Sequence, residues 1–191
     1  MIKSCLLCGV GGQGTVLASN LIAAAAMEKG VDVKTAETIG MAQRGGCVVS
    51  HVRTGENIHS PLVPLGEADV VISFEPAEAI RCLPYLKNGG TMVVSSKAVM
   101  PVTASLNATQ YKSEDMLDYL KTKVEKLIVV NTDELVEKLG SAKPLNVALL
   151  GAAVRNADLG VSAEDIENVM KKMVKPQFIE LNTKALYSVN G

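Results

Sequence analysis

An α/β domain built on a mostly parallel sheet is the fold class that this sequence predicts, and three observations carry it. Short apolar runs of strand length alternate with longer segments whose apolar residues recur every three to four positions, the mark of repeated β-α-β units. A glycine-rich turn, Gly9-Val-Gly-Gly-Gln-Gly14, falls between the first such run and the first such helix. The hydrophobic fraction of 48% in 191 residues is enough to fill one core, and no linker, repeat or low-complexity tract divides it. Residues 1–191 are therefore read as a single domain.

The elements follow in order. Ile2 to Cys8 reads as a buried strand, and Gln13 to Lys29 as a helix with Val16, Leu17, Leu21, Ala24 and Met27 on one face and Gly30 as its C-terminal stop. Val31 to Ala36 is the second strand. After it, Glu37-Thr-Ile-Gly-Met-Ala-Gln-Arg-Gly-Gly46 has no apolar period and holds three glycines, so it is predicted to be a loop. Cys47 to Arg53 alternates like a half-buried strand, and Thr54-Gly-Glu-Asn57 predicts a turn into a second arm ending near Pro61, a hairpin inserted in the parallel pattern. Next come a strand at Asp69 to Ser73, a helix from Pro76 to Leu86, a stop at Asn88-Gly-Gly90 and a strand at Thr91 to Ser95. From Ser113 the order is helix, strand (Leu127 to Asn131) and a short helix opened by Thr132. The remainder is predicted to be helical: Asn146 to Asn156 after Pro144, a capped start at Ser162-Ala-Glu-Asp165, and a last helix from Pro176. A strand, a glycine turn and a helix in this setting make the fold Rossmann-like, with an inserted hairpin and a helical C-terminal part.

Nineteen basic and 20 acidic residues leave a net charge of −1 without any run of one sign, so neither nucleic acid nor an anionic membrane is an expected partner. The longest apolar stretch, around Val147 to Val154, is far short of the ~20 residues that span a bilayer, and no export signal is visible, so a cytoplasmic protein is expected. Cys5 and Cys8 have C-x-x-C spacing. On a strand, positions three apart face opposite sides, so the pair is read as core residues; no metal site is expected.

Glycines at 9, 11, 12 and 14 let backbone N–H groups approach an anion at a helix start, while Gln13 can aim an amide into the same crevice. The plainer alternative is a tight strand-to-helix turn with nothing bound. A dinucleotide site would also want an acid near the end of the second strand, where Asp32 comes early and Glu37 late. Gln43-Arg44-Gly45-Gly46 sets a guanidinium beside two glycines, suited to a carboxylate or phosphate, or else to a surface pair with a Glu or a subunit contact. Glu75 lies at the carboxyl end of a strand, where open α/β sheets bind ligands. His51 and His59, on the hairpin, read as surface or interface residues, and no catalytic residue is assigned.

Gly9-Val-Gly-Gly-Gln-Gly14, Gln43-Arg-Gly-Gly46, Val70-Val-Ile-Ser-Phe-Glu-Pro76 and Leu83-Pro-Tyr-Leu86 together resemble the gamma-type domain of 2-oxoacid:ferredoxin oxidoreductases over essentially the whole chain. Other branches carry Tyr-Gly-x-Glu-x-Arg-Gly-Gly. Here Ile39-Gly-Met-Ala-Gln-Arg-Gly-Gly46 is more similar to the beta subunit of indolepyruvate oxidoreductases. The resemblance implies oxidative decarboxylation of a 2-oxoacid to an acyl-CoA. It also implies a large partner subunit that holds thiamine diphosphate, magnesium and iron–sulfur clusters and passes electrons to ferredoxin. The sequence lacks the Gly-Asp-Gly and Asn-Asn pattern for thiamine diphosphate and has no run of cluster cysteines, so this chain is expected to bind no cofactor alone, to be inactive alone, and to shape the site or help hold CoA through the glycine loop and Arg44. Two rivals stand beside this reading: a free-standing NAD(P)-dependent dehydrogenase, and a regulatory nucleotide-binding module that recruits a partner through its C-terminal helices.

Overall fold

Strand β1 (Lys3–Val10), apolar from Cys5 onward, lies in the interior of the sheet. The computed structural model describes residues 1–39, 46–100 and 111–189. Among these, β2 (Val33–Ile39), β3 (Cys47–Thr54), β4 (Ala68–Ser73), β5 (Leu86–Ser95) and β6 (Lys126–Val130) join β1 in one sheet of order β2-β3-β1-β4-β5-β6. The pairs β1–β4, β4–β5 and β5–β6 are parallel, while β3 is antiparallel to both β1 and β2.

Helices α1 (Thr15–Glu28), α5 (Leu145–Asn156), α6 (Ala163–Met173) and α7 (Pro176–Leu186) cover one face, and α2 (Pro76–Cys82) and α3 (Ser113–Lys123) the other; α4 (Thr132–Leu139) follows β6. Alternation along β1 divides the core. Cys5 and Leu7 enter the cluster under α1 and α5, Leu6 and Cys8 the cluster under α2 and α3, so the C-x-x-C pair faces opposite sides of the sheet as its spacing predicts. Ser162 and Asp165 close a reciprocal capping box on α6 (3.1 and 2.8 Å).

Three expectations need correction. The hairpin is formed by β2 and β3, which pair antiparallel; beyond Thr54 the chain turns through Gly55 and Asn57, both at positive φ, but forms no second arm. That segment is held by side chains instead. The Arg53 guanidinium donates to the Ser60 and Leu62 carbonyls (3.1 and 3.5 Å), and His51 Nδ1 accepts from the Val63 N–H (3.1 Å). The helix from Pro76 stops at Cys82, followed by a 3-10 turn at Leu83–Tyr85, because Pro84 has no N–H to continue it. Asn88 to Gly90 do not end an element but lie within β5, where the register against β4 shifts. The short helix after β6 opens at Thr132 as expected, and Asn131 caps it, its Oδ1 accepting from the Glu134 N–H.

His51 is thus a buried anchor rather than a surface residue, with Tyr85 edge-on at 6.0 Å. Burial lowers its pKa, and accepting at Nδ1 requires that nitrogen to be unprotonated. A histidine held neutral in the fold but free to protonate when unfolded contributes stability above its unfolded pKa that is lost as pH falls. Unfolding free energy is therefore expected to decline below about pH 6.5, by at most about 1.4 kcal/mol per pH unit from this group. Urea midpoints measured from pH 7.5 to 5 check this. In His51→Asn, whose Oδ1 can accept the same bond, that part of the slope should vanish, and an unchanged slope assigns it elsewhere.

Candidate functional site

Packing requires glycine at the start of the turn, and backbone conformation requires it further on. A Cβ on Gly9 would lie 2.7 Å from Gln13 Oε1 and 3.0 Å from Phe74 Cβ, so the end of β1 can approach β4 and the loop only as glycine. Gly12 and Gly14 have φ of +98° and +83°, the left-handed region that glycine enters without cost. Gln13 crosses the gap between the two strand ends. Its Oε1 accepts from the Val10 N–H (2.7 Å) and its Nε2 donates to the Phe74 carbonyl (3.0 Å), so the amide clamps the loop to the end of β4. The Gly11 N–H donates to the Gly46 carbonyl (2.9 Å), which ties the glycine turn to the residue just before β3.

This turn forms the floor of a crevice at the carboxyl ends of the parallel strands. From β1 the chain leaves toward β2 and β3 on one side, while β4, β5 and β6 build outward on the other, so the crevice sits where the strand order reverses, the favoured binding place of an open α/β sheet. It has two compartments that share Gly12, Gln13, Lys143 and Asn146. One, of about 380 Å³, adds Ser95, Lys97 and Thr132 from the ends of β5 and β6. The other, of about 310 Å³, is walled by Leu17, Val174, Phe178 and Leu181. Among the described residues neither lining contains a carboxylate. Lys143 Nζ lies 5.5 Å from the Phe178 ring centroid, and Lys97 is 3.6 Å from Asp133. Thr132 Oγ1 links to Ser95 and Ser96 (3.5 and 3.3 Å), which aligns the ends of β5 and β6. Helices α1 and α5 begin at the crevice without a side-chain cap, so their first N–H groups add partial positive charge.

The structure brings Gly9, Gly11, Gly12, Gln13, Gly14 and Gly46 together, while Gln43, Arg44 and Gly45 lie outside the described residues. Glu37 is exposed on edge strand β2, opposite Ser50, and accepts from Ser19 Oγ at 3.4 Å. Because β3 is inserted between β2 and β1, Glu37 stands two strand spacings, roughly 9.5 Å, from β1, and its carboxylate faces Ser19 of α1. Glu75 is buried and caps α2: Oε2 accepts from the Glu78 N–H (3.0 Å), and Oε1 from the Val99 N–H and the Tyr111 hydroxyl (3.2 and 2.7 Å). Burial, with Glu75 beside it, pushes the Tyr111 hydroxyl above its ordinary pKa, so the phenol stays a donor. Lys97, Lys143, Thr132, Asn146 and Phe178 were not singled out by sequence reasoning. The rule that ligands sit beyond carboxyl strand ends, applied to every strand, would have found Ser95 to Lys97 and Thr132.

The cysteines do not form a cluster-binding set. Cys5 is on the opposite face of the sheet from Cys8 and Cys82, and burial pushes Cys47 up to about 12, away from the thiolate a metal needs. The crevice, which has no carboxylate among the described residues, likewise does not fit the magnesium that accompanies thiamine diphosphate. Its lysines, hydroxyls and free N–H groups are suited to binding an anion.

A match to the pyruvate ferredoxin/flavodoxin oxidoreductase family spans residues 4–188. The chain belongs to this family. It is 37% identical over 179 residues to the indolepyruvate oxidoreductase subunit IorB of Archaeoglobus fulgidus, covering 93% of this chain and 89% of that one. Among solved structures, the pyruvate oxidoreductase subunit PORC of Thermotoga maritima superposes with a TM-score of 0.69 at 25% identity, covering 98% of this chain and 94% of that chain. The fold recurs in a 2-oxoglutarate:ferredoxin oxidoreductase from Magnetococcus marinus with coenzyme A and succinyl-CoA bound, at a TM-score of 0.71 and 17% identity, where it accounts for 30% of that chain. Family and fold read from the motifs are thereby both shown. Among the described residues no helix is long and apolar enough to cross a membrane.

Proposed function

We propose that this chain is the small subunit of a 2-oxoacid:ferredoxin oxidoreductase whose substrate is indolepyruvate or a related aryl pyruvate. The observation that carries it is the family match over residues 4–188, joined to 37% identity with an indolepyruvate oxidoreductase subunit over nearly the full length of both chains. The site is consistent with a supporting role: it offers an anion-binding crevice and a clamped glycine turn, and no acid–base pair. Thiamine diphosphate, with magnesium on a large partner subunit, supplies the carbanion-stabilising chemistry when bound, and iron–sulfur clusters there carry electrons to ferredoxin. This chain packs beside that centre in the cytoplasm. Its glycine turn is held to Gly46, and Arg44 contacts CoA or the oxoacid carboxylate. The free-standing dehydrogenase is disfavoured by the insertion of β3, which breaks the adjacency of the first two strands on which a dinucleotide fold relies to place its ribose acid.

The test is 2-oxoacid- and CoA-dependent reduction of ferredoxin by the chain alone and after co-expression with a thiamine-diphosphate subunit. Turnover is expected only in the assembled pair, fastest with indolepyruvate among pyruvate, 2-oxoglutarate and indolepyruvate. Arg44→Ala should raise the KM for CoA or oxoacid about tenfold, the loss of one charge-assisted contact. A verified complex without turnover on any of the three would sink the proposal.

A further inference from the structure

Away from the crevice, three of the chain's thiols gather on the α2 face of the sheet. Cys8 in β1 and Cys82, the last residue of α2, share one core cluster and are 0% and 2% exposed. Half-buried Cys47 stands opposite Val10 on β3, two residues from Val49, which packs against the same cluster. The Cys8 thiol donates to the Glu78 carbonyl at 3.5 Å. In an α-helix that carbonyl also accepts from the N–H four residues on, which is that of Cys82, so Cys8 rests against the turn that carries Cys82. Glu78 is buried beside them, and its Oε2 has no hydrogen-bond partner among the described residues.

We propose that Cys8 and Cys82 form a reversible redox pair, closed to a disulfide by a peroxide and reopened by a small thiol reductant. In the first step the Cys82 sulfur attacks one oxygen of hydrogen peroxide, the O–O bond breaks, Cys82 becomes a sulfenic acid and one water leaves. The Cys8 sulfur then attacks the Cys82 sulfur. The S–O bond breaks, and the hydroxyl leaves with the Cys8 proton as a second water. The two thiols thus lose two electrons and two protons, and the peroxide that takes them becomes two waters. Surroundings divide the roles. A hydrogen bond from Cys8 lowers the Cys82 pKa, with Arg81 assisting, against burial and the Glu78 charge, so Cys82 attacks. The same hydrogen bond, with burial, holds Cys8 well above the ordinary thiol range, so Cys8 is the resolving partner. Burial, with Glu78 beside it, pushes Cys47 up to about 12 and leaves it protonated, and Cys5 lies across the sheet. With the pair at most 2% exposed, the oxidant has to be nearly as small as water, which selects a peroxide. The bond would tie the residue before the glycine turn to the end of α2. The assignment goes beyond the subunit reading, since it concerns this chain's own thiols and holds whether or not the complex turns over.

Hydrogen peroxide treatment of the full, folded chain, followed by alkylation in denaturant, thiol counting and peptide mass mapping, tests it. Of the four thiols, two are expected to be lost, with the Cys8 peptide joined to the Cys82 peptide, and dithiothreitol should restore all four. Cys8→Ser keeps a hydroxyl donor toward Cys82 but removes the resolving sulfur. That variant should form no link and should hold Cys82 as a sulfenic acid, which dimedone labels. In Cys82→Ala, Cys8 should stay unlabelled, because nothing there favours its thiolate. Cys47→Ala should pair as the parent does. Thermal melts before oxidation show that each variant is folded. Survival of all four thiols in the folded parent overturns the proposal. So does a link that includes Cys47 or Cys5, or dimedone on Cys8 in the Cys82→Ala variant.

Discussion

Gly151→Ala is expected to lower the melting temperature by about 6 to 12 °C. Gly151 sits in the middle of α5, where a glycine is otherwise a liability of about 1 kcal/mol relative to alanine, so propensity alone predicts stabilisation by the substitution. The crossing of α5 and α7 reverses the sign. A Cβ on Gly151 would lie 2.0 Å from the Leu186 carbonyl oxygen and 2.8 Å from its carbonyl carbon, and both are backbone atoms that no rotamer change can remove. The helices must separate, which loosens Leu149, Leu150, Ala185 and Leu186, all buried at the contact. Overpacking of a rigid core costs about 1–3 kcal/mol, and a backbone obstacle places this case at the upper end; a chain of this size loses roughly 2–4 °C per kcal/mol. Scanning calorimetry on the purified chain measures it. A melting temperature equal to or above that of the parent would show that α7 can move aside freely. Because α7 also carries Phe178 and Leu181, the same variant should lose whatever the apolar half of the crevice binds.

The parts of the fold that were legible in the sequence are those where local period and local partner agree. β1, α1, β4, α5 and α6 bury one face or both within a β-α-β unit, and their boundaries move by at most a few residues from expectation. The insertion of β3 was not legible in its pairing. Its alternation marks a strand, but whether it pairs with a following arm or with β1 and β2 depends on contacts distant in sequence, and the Gly55 and Asn57 turn is consistent with both. His51 was misread for the same reason: a histidine among polar residues becomes an anchor only once Val63 is folded over it. In the site, the glycine turn was visible because positive φ leaves a residue signature. Glu75 was visible by position, but its three hydrogen bonds are internal to the fold. Lys97 and Lys143 were not visible, since an exposed lysine is the commonest of surface residues and gains meaning only from the strand end or helix start beside it.

Gly14→Ala should show how the floor of the crevice is held. Two costs are expected. An alanine at φ +83° pays roughly 1–2 kcal/mol for the left-handed conformation. Its Cβ would also lie 2.6 Å from Asn146 Nδ2, the group that donates to the Gly14 carbonyl at 3.3 Å. Asn146 is buried in the first turn of α5, so the amide must turn away and break its link to α1, a loss of about 1 kcal/mol. The sum, about 2–3 kcal/mol, is measurable as a fall in the urea midpoint without a change in slope. The two costs separate in the Asn146→Ala background. There the hydrogen bond and the amide are gone and only the residue-146 Cβ, at 3.3 Å, remains, so Gly14→Ala should cost little beyond its backbone strain, and the double-mutant cycle should leave a coupling of about 1 kcal/mol. Full additivity would mean that Asn146 does not join the two helix starts. Because Gly12 and Lys143 border the same spot, the single variant should also weaken ligand binding in the crevice, while Asn146→Ala alone, which leaves the glycine turn unstrained, should weaken it less.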